Sequence, residues 1–139
     1  RDRSVSRGLG DVYKRQVDNH SSYVQQLAWL VWIHTDETAT EQDFEGAYQD
    51  IIDQNTPLFE KQTESLTAYQ MNFLRAVLEG VHREFTTRAV LQKYKLGSSA
   101  NVSIVKRALL KKELIEMEKR QVVIPDPVME EWLRRELGL

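Results

Sequence analysis

Between Thr86 and Pro127 the chain reads TTRAVLQKYKLGSSANVSIVKRALLKKELIEMEKRQVVIPDP. The order of local patterns in this stretch leaves few folds open. Thr86 or Thr87 caps a short helical period that runs to about Tyr94. Lys95-Leu96-Gly97 then forms a turn, with glycine free to take the left-handed backbone such turns need. Ser98 or Ser99 caps a second helix, to about Lys112, with Val102, Val105 and Leu109 on one side. Two short β-type runs follow, Leu114–Glu118 and Val122–Pro125, with Lys119-Arg120-Gln121 as the hairpin tip. Helix, turn, basic helix and hairpin in that order predict a winged helix-turn-helix.

The remainder reads as helical. Ser21–His34 (SSYVQQLAWLVWIH) places Tyr23, Leu27, Leu30, Val31 and His34 at helical spacing. Trp29, Trp32 and Ile33 make that helix apolar nearly all round, and such a helix is normally covered on several sides. Thr40–Gln54 is amphipathic, with Phe44, Ala47, Tyr48, Ile51 and Ile52 on one face. Asn55-Thr56-Pro57 is expected to break it, since proline lacks an N–H, and Leu58–Glu64 to form another short helical piece. Thr67-x-x-Gln70 is a capping box opening a helix whose predicted buried stripe is Leu66, Tyr69, Phe73, Leu74, Val77 and Leu78, ended by Gly80. Asp126 caps a last helix begun by Pro127 and carried through Trp132 and Leu133. The fold class is therefore mainly α: residues 17–64 form a helical region, and residues 65–139 a winged helix with a small two-stranded β-wing.

The first residue is Arg rather than Met, and Arg1–Gln16 (RDRSVSRGLGDVYKRQ) shows no sustained period. It reads as a non-native tail of the kind adapter read-through leaves in metagenomic sequences, or as a linker from an upstream domain.

Charge is divided unevenly. The formal net charge is −2. From Val17 to Gly80 there are 2 basic and 11 acidic residues, a net of −9; from Val81 to Arg120 there are 10 basic and 4 acidic, a net of +6. A basic half suits a polyanionic partner. It also suits mutual attraction between the halves.

On a helical wheel, Ser99, Ser103 and Lys106 fall on the side of the second helix away from Val102, Val105 and Leu109, with Arg107 beside them. Lys93 and Lys95 flank the turn, and Lys119 and Arg120 occupy the wing tip. Hydroxyls and cations on one face suit phosphate and base-edge contacts in a major groove. That face carries no Asn or Gln for adenine, and Leu110 shares it, so the same surface also fits a protein partner. These eight residues are the candidate contact set for double-stranded DNA or a protein.

Catalytic chemistry finds no foothold. With no cysteine, thiol catalysis and thiolate metal sites are excluded, in keeping with a cytoplasmic setting. His20, His34 and His82 form no HxH or HxxxH pair, so no metal site is expected. There is no G-x-S-x-G elbow and no G-x-x-x-x-G-K-[ST] phosphate loop. No apolar run approaches the roughly 20 residues that span a bilayer, so no membrane partner is expected.

Four blocks carry a family resemblance: SLTAYQMNFLRA from Ser65, KYKLGSSANV from Lys93, ALLKKELI from Ala108, and Asp126-Pro127-Val128 with Trp132-Leu133. Together they resemble the C-terminal region of archaeal-type AAA+ (STAND-like) ATPases, common in Bacteroidetes-type bacteria. His20-Ser-Ser-Tyr-Val-Gln-Gln-Leu-Ala resembles the first helix of that family's lid subdomain. The resemblance implies that residues 17–64 are a lid remnant and that a nucleotide-binding domain lies upstream and covers Trp29 and Trp32. It implies ATP and Mg for the full-length parent and none held by this fragment. Val17–Glu64 contains no Arg, so no sensor arginine is assigned. The alternative is a free-standing winged-helix transcriptional regulator.

Overall fold

The computed structural model describes residues 21–34 and 40–139. The expectations for Arg1–Gln16 and His20 lie outside the described residues. The elements in chain order are α1 (Ser21–His34), α2 (Glu41–Thr63), α3 (Ala68–Leu78), α4 (Arg88–Lys93), α5 (Ser99–Lys111), β1 (Glu116–Glu118), β2 (Gln121–Val123) and α6 (Pro127–Glu136). The chain is mostly helical with one two-stranded antiparallel sheet, as the fold class required. It divides into two compact units between Phe59 and Glu60.

In the first unit, α1 buries Tyr23, Leu27 and Val31, one residue per turn, while Trp29, Trp32 and Ile33 are exposed. On α2, Phe44, Ala47, Tyr48, Ile51 and Ile52 are buried, as their spacing predicts. The predicted break at Asn55-Thr56-Pro57 does not occur: α2 runs through Pro57 to Thr63. A proline inside a helix deprives the carbonyl four residues back of its donor and crowds that turn. Here two neighbouring side chains back-bond to the same turn. Asn55 Nδ2 donates to the Ile51 carbonyl (2.7 Å) and Thr56 Oγ1 to that of Ile52 (2.8 Å). Asn55 and Thr56 therefore sit within the helix, their side chains bonded to its backbone.

The second unit is built on α3, which packs against α5. Thr67 Oγ1 accepts from the Gln70 N–H (3.2 Å) and Gln70 Oε1 from the Thr67 N–H (3.0 Å), closing the predicted capping box. Phe73 and Leu74 are fully buried, with Ala76, Val77 and Leu78. Tyr69, expected in the stripe, is instead 48% exposed. It lies on the first turn of α3, where its ring borders Gly97 in the turn before α5. Phe73 stacks on Phe85, ring centroids 4.4 Å apart. Leu96, Leu109, Ile115, Val122, Val128 and Leu133 complete the most deeply buried set. α3, α5, β2, α6 and the segments between them thus supply this core, whereas α4 and β1 bury no residue fully.

The wing strands are shorter than the sequence suggests. β1 and β2 pair as Glu116↔Val123, Met117↔Val122 and Glu118↔Gln121. Leu114 does not join the ladder, because its N–H goes back to the Leu109 carbonyl (3.1 Å) to finish α5. Gln121, expected in the tip, is the first residue of β2, leaving Lys119 and Arg120 alone in the turn. Both have positive φ (51° and 65°), the backbone of a two-residue type I′ hairpin. On the other side of β2, the Val122 N–H donates to the His82 carbonyl (2.7 Å), and His82 Nδ1 donates to the Val122 carbonyl (2.9 Å). His82 thus holds the outer edge of β2 with one backbone and one side-chain bond.

Candidate nucleic-acid interface

The turn between α4 and α5 fixes where the basic helix starts. Thr87 Oγ1 caps α4 by accepting from the Val90 N–H (3.4 Å). Lys95, with φ 55°, follows the end of α4, and the Leu96 N–H returns to the Leu91 carbonyl (3.0 Å). Two asparagines then hold the turn from either side. Asn72 Nδ2 donates to the Lys95 carbonyl (3.2 Å) and Asn101 Nδ2 to the Leu96 carbonyl (2.7 Å). Gly97 has φ 81°, and a Cβ there would meet Asn101 Nδ2 at 3.1 Å and Tyr69 Cε1 at 3.3 Å. A side chain at this position would strain the backbone and press on both neighbours. Ser98 Oγ accepts from the Asn101 N–H (3.1 Å) and begins α5.

α5 (SANVSIVKRALLK) contains no acidic residue. It buries Val102, Val105 and Leu109, the three residues predicted. Counting turns from that stripe, the positions opposite the core are Ala100, Ile104, Arg107 and Lys111, all exposed. Ser99 and Ser103 are exposed on the shoulder, where Ser103 Oγ donates to the Ser99 carbonyl (3.4 Å). Lys106 is half-buried on the flank, between that shoulder and the core. Ile104, 63% exposed, and Lys111 were not among the residues singled out from sequence. The same wheel places both on this outward face.

Lys93 lies with Nζ 5.3 Å from the centroid of the buried Tyr94 ring, a cation–π contact that holds its stem against the unit. Lys95, Lys119 and Arg120 are exposed. Three of these four cations are thus displayed by the turn and the wing tip, on left-handed backbone. Among the described residues, no ion pair engages a cation between Val81 and Arg120; the salt bridges given by geometry are Arg134–Glu130 and Arg135–Glu131 on α6. The positive charge of the segment is not neutralised within its own unit and is available to an anion.

An open depression of about 310 Å³ lies between Gly80 and Gln121 and is lined by His82, Arg83, Glu84 and Thr87 among others. Two of its polar side chains already have structural partners: His82 holds the wing and Thr87 caps α4. Among the described residues no three His, Asp or Glu side chains are grouped to hold a metal ion, and no helix is long and apolar enough to cross a membrane.

A family model described as "Probable winged helix domain" matches residues 57–135. That span runs from the proline of α2 through the wing and nearly to the end of α6. Comparison with curated proteins and with solved structures returns no match. The match covers more than half of the chain and coincides with the helix, turn, helix and wing just described, so the chain belongs to this winged helix domain family.

Proposed function

We propose that the winged helix contacts double-stranded DNA, with α5 in the major groove and the wing tip on the neighbouring backbone. The observation that carries this reading is the acid-free α5, whose outward face bears Arg107 and Lys111 with no carboxylate partner among the described residues. A helix of this kind fits the major groove, and its cations replace condensed counterions on the phosphates. Lys93 and Lys95 at the turn and Lys119 and Arg120 at the wing extend the contact along the duplex, while Ser99, Ser103 and Lys106 reach the backbone beside it. Equilibrium titration of the full chain against duplex DNA at low salt tests the reading. Binding with Kd of about 1–100 μM or tighter is expected; no binding contradicts it.

A second reading concerns the protein to which this domain belongs. We infer that the chain is the C-terminal, non-catalytic part of a cytoplasmic AAA+ ATPase, with residues 17–64 as the end of its lid. The four sequence blocks described above support this reading. So does α1, which leaves Trp29 64% and Ile33 54% exposed, the face that an adjoining nucleotide-binding domain would cover. The chain carries no G-x-x-x-x-G-K-[ST] loop with which to cradle a nucleotide triphosphate. The purified chain is therefore expected to show no ATP hydrolysis, and measurable turnover would contradict the assignment.

A further inference from the structure

Ile104 occupies a position on α5 that phosphate binding does not explain. A single exposed apolar side chain is ordinary on a protein surface. What distinguishes this one is its place: 63% exposed, opposite the buried stripe, one turn after Ala100 and three residues before Arg107. Its helix neighbours are Ala100, Ser103, Arg107 and Ala108, so the only large apolar group there is Ile104 itself, short of the broad apolar patch that a protein interface would require. The surrounding charge commits the face to a polyanion.

We propose that Ile104 reads thymine, through contact with its 5-methyl group, when α5 lies in the major groove. The inference rests on the DNA reading given above. In the major groove the apolar feature that separates one base pair from another is the thymine methyl. The usual route to adenine, an Asn or Gln bidentate to N6 and N7, is closed on this helix. Asn101, the one amide on α5, is half-buried and donates to the Leu96 carbonyl at 2.7 Å, where it holds the turn. The Ser103 hydroxyl proton is directed at the Ser99 carbonyl. An A·T pair is then distinguished from G·C by its methyl, and Ile104 is the large apolar group placed to meet it. Arg107 supplies the complementary specificity, a guanidinium for guanine O6 and N7. Three residues of helix rise about 4.5 Å, against about 3.4 Å per base-pair step. Ile104 and Arg107 therefore address neighbouring base pairs, and the preferred site carries a thymine adjacent to a guanine.

The experiment selects duplexes from a random-sequence pool with the full chain, then resynthesises the enriched sequence with deoxyuridine replacing thymidine. Enrichment of neighbouring T and G is expected. Loss of the methyl should weaken binding about three- to fivefold, the factor for one apolar methyl group taken out of contact. For Ile104→Ser the penalty for deoxyuridine should disappear while binding persists; exposure of the site leaves the fold intact, which circular dichroism verifies. Equal affinity of the wild-type chain for thymidine and deoxyuridine duplexes overturns the inference and leaves the DNA reading standing, as does binding with no sequence enriched. An unchanged penalty in Ile104→Ser overturns the assignment to Ile104. No binding to any duplex at low salt overturns the DNA reading and this inference with it.

Discussion

The turn before α5 shows how much rests on single residues. Gly97 sits at φ 81° with Asn101 and Tyr69 closing on the space a side chain would need. Gly97→Ala should therefore destabilise the chain by about 1–2 kcal/mol, from the left-handed backbone alone, with the close contacts adding to it. A lowered urea midpoint checks this, and an unchanged one would contradict it. Two residues earlier the opposite holds. Lys95 occupies left-handed backbone (φ 55°) that glycine takes without penalty. Lys95→Gly should raise stability by up to about 1 kcal/mol while removing one cation from the proposed interface. Improved folding with weaker DNA binding in one variant would separate the two roles of that side chain. Gly97 was legible in sequence because glycine announces its backbone. Lys95 was not, because nothing in a lysine signals positive φ.

The same distinction runs through the elements. Three helices end with the paired returns of a Schellman motif, with Gly80, Glu113 and Gly138 in left-handed backbone, and the end at Lys95 keeps only the longer return, from the Leu96 N–H to the Leu91 carbonyl. The ending at Gly80 was readable from composition. The ending at Glu113 (φ 60°) was not, and its hidden return of the Leu114 N–H is what shortened β1 relative to expectation. Periodicity placed Val102, Val105 and Leu109, and the capping rules placed Thr67, Gln70 and Asp126, because these signals are local. The break expected at Pro57 is absent: Asn55 and Thr56, residue types that also build turns, here bond back to the helix carbonyls of Ile51 and Ile52. The wing tip offers a test at this scale. Asn-Gly is the favoured pair for a type I′ turn, whereas Lys119 and Arg120 both hold it at a backbone cost. Replacing them together (Lys119→Asn with Arg120→Gly) should stabilise the chain by about 1–2 kcal/mol and weaken DNA binding. Unchanged affinity would remove the wing tip from the interface.

For the whole molecule, the fold follows from one sequence order, and the candidate interface from what that order leaves outside. The fold of the second unit was legible in the sequence because its core spacing and its punctuation agree. The interface was legible in outline only. Sequence marks cations, but burial shows that Arg107 and Lys111 face outward while Lys106 lies on the flank, and that an isoleucine stands among them. The central claim is that unpaired cations on α5 and the wing neutralise DNA phosphates. Its most direct measurement is the salt dependence of duplex binding, for the full chain and for a variant with Lys106, Lys111 and Lys119 each changed to Gln. If about five cations engage phosphate, log Kobs should fall against log salt concentration with a slope of about −4 to −5, and the triple variant should flatten it by roughly one per cation that bound phosphate. A slope near zero, or the same slope in the triple variant, would contradict the claim.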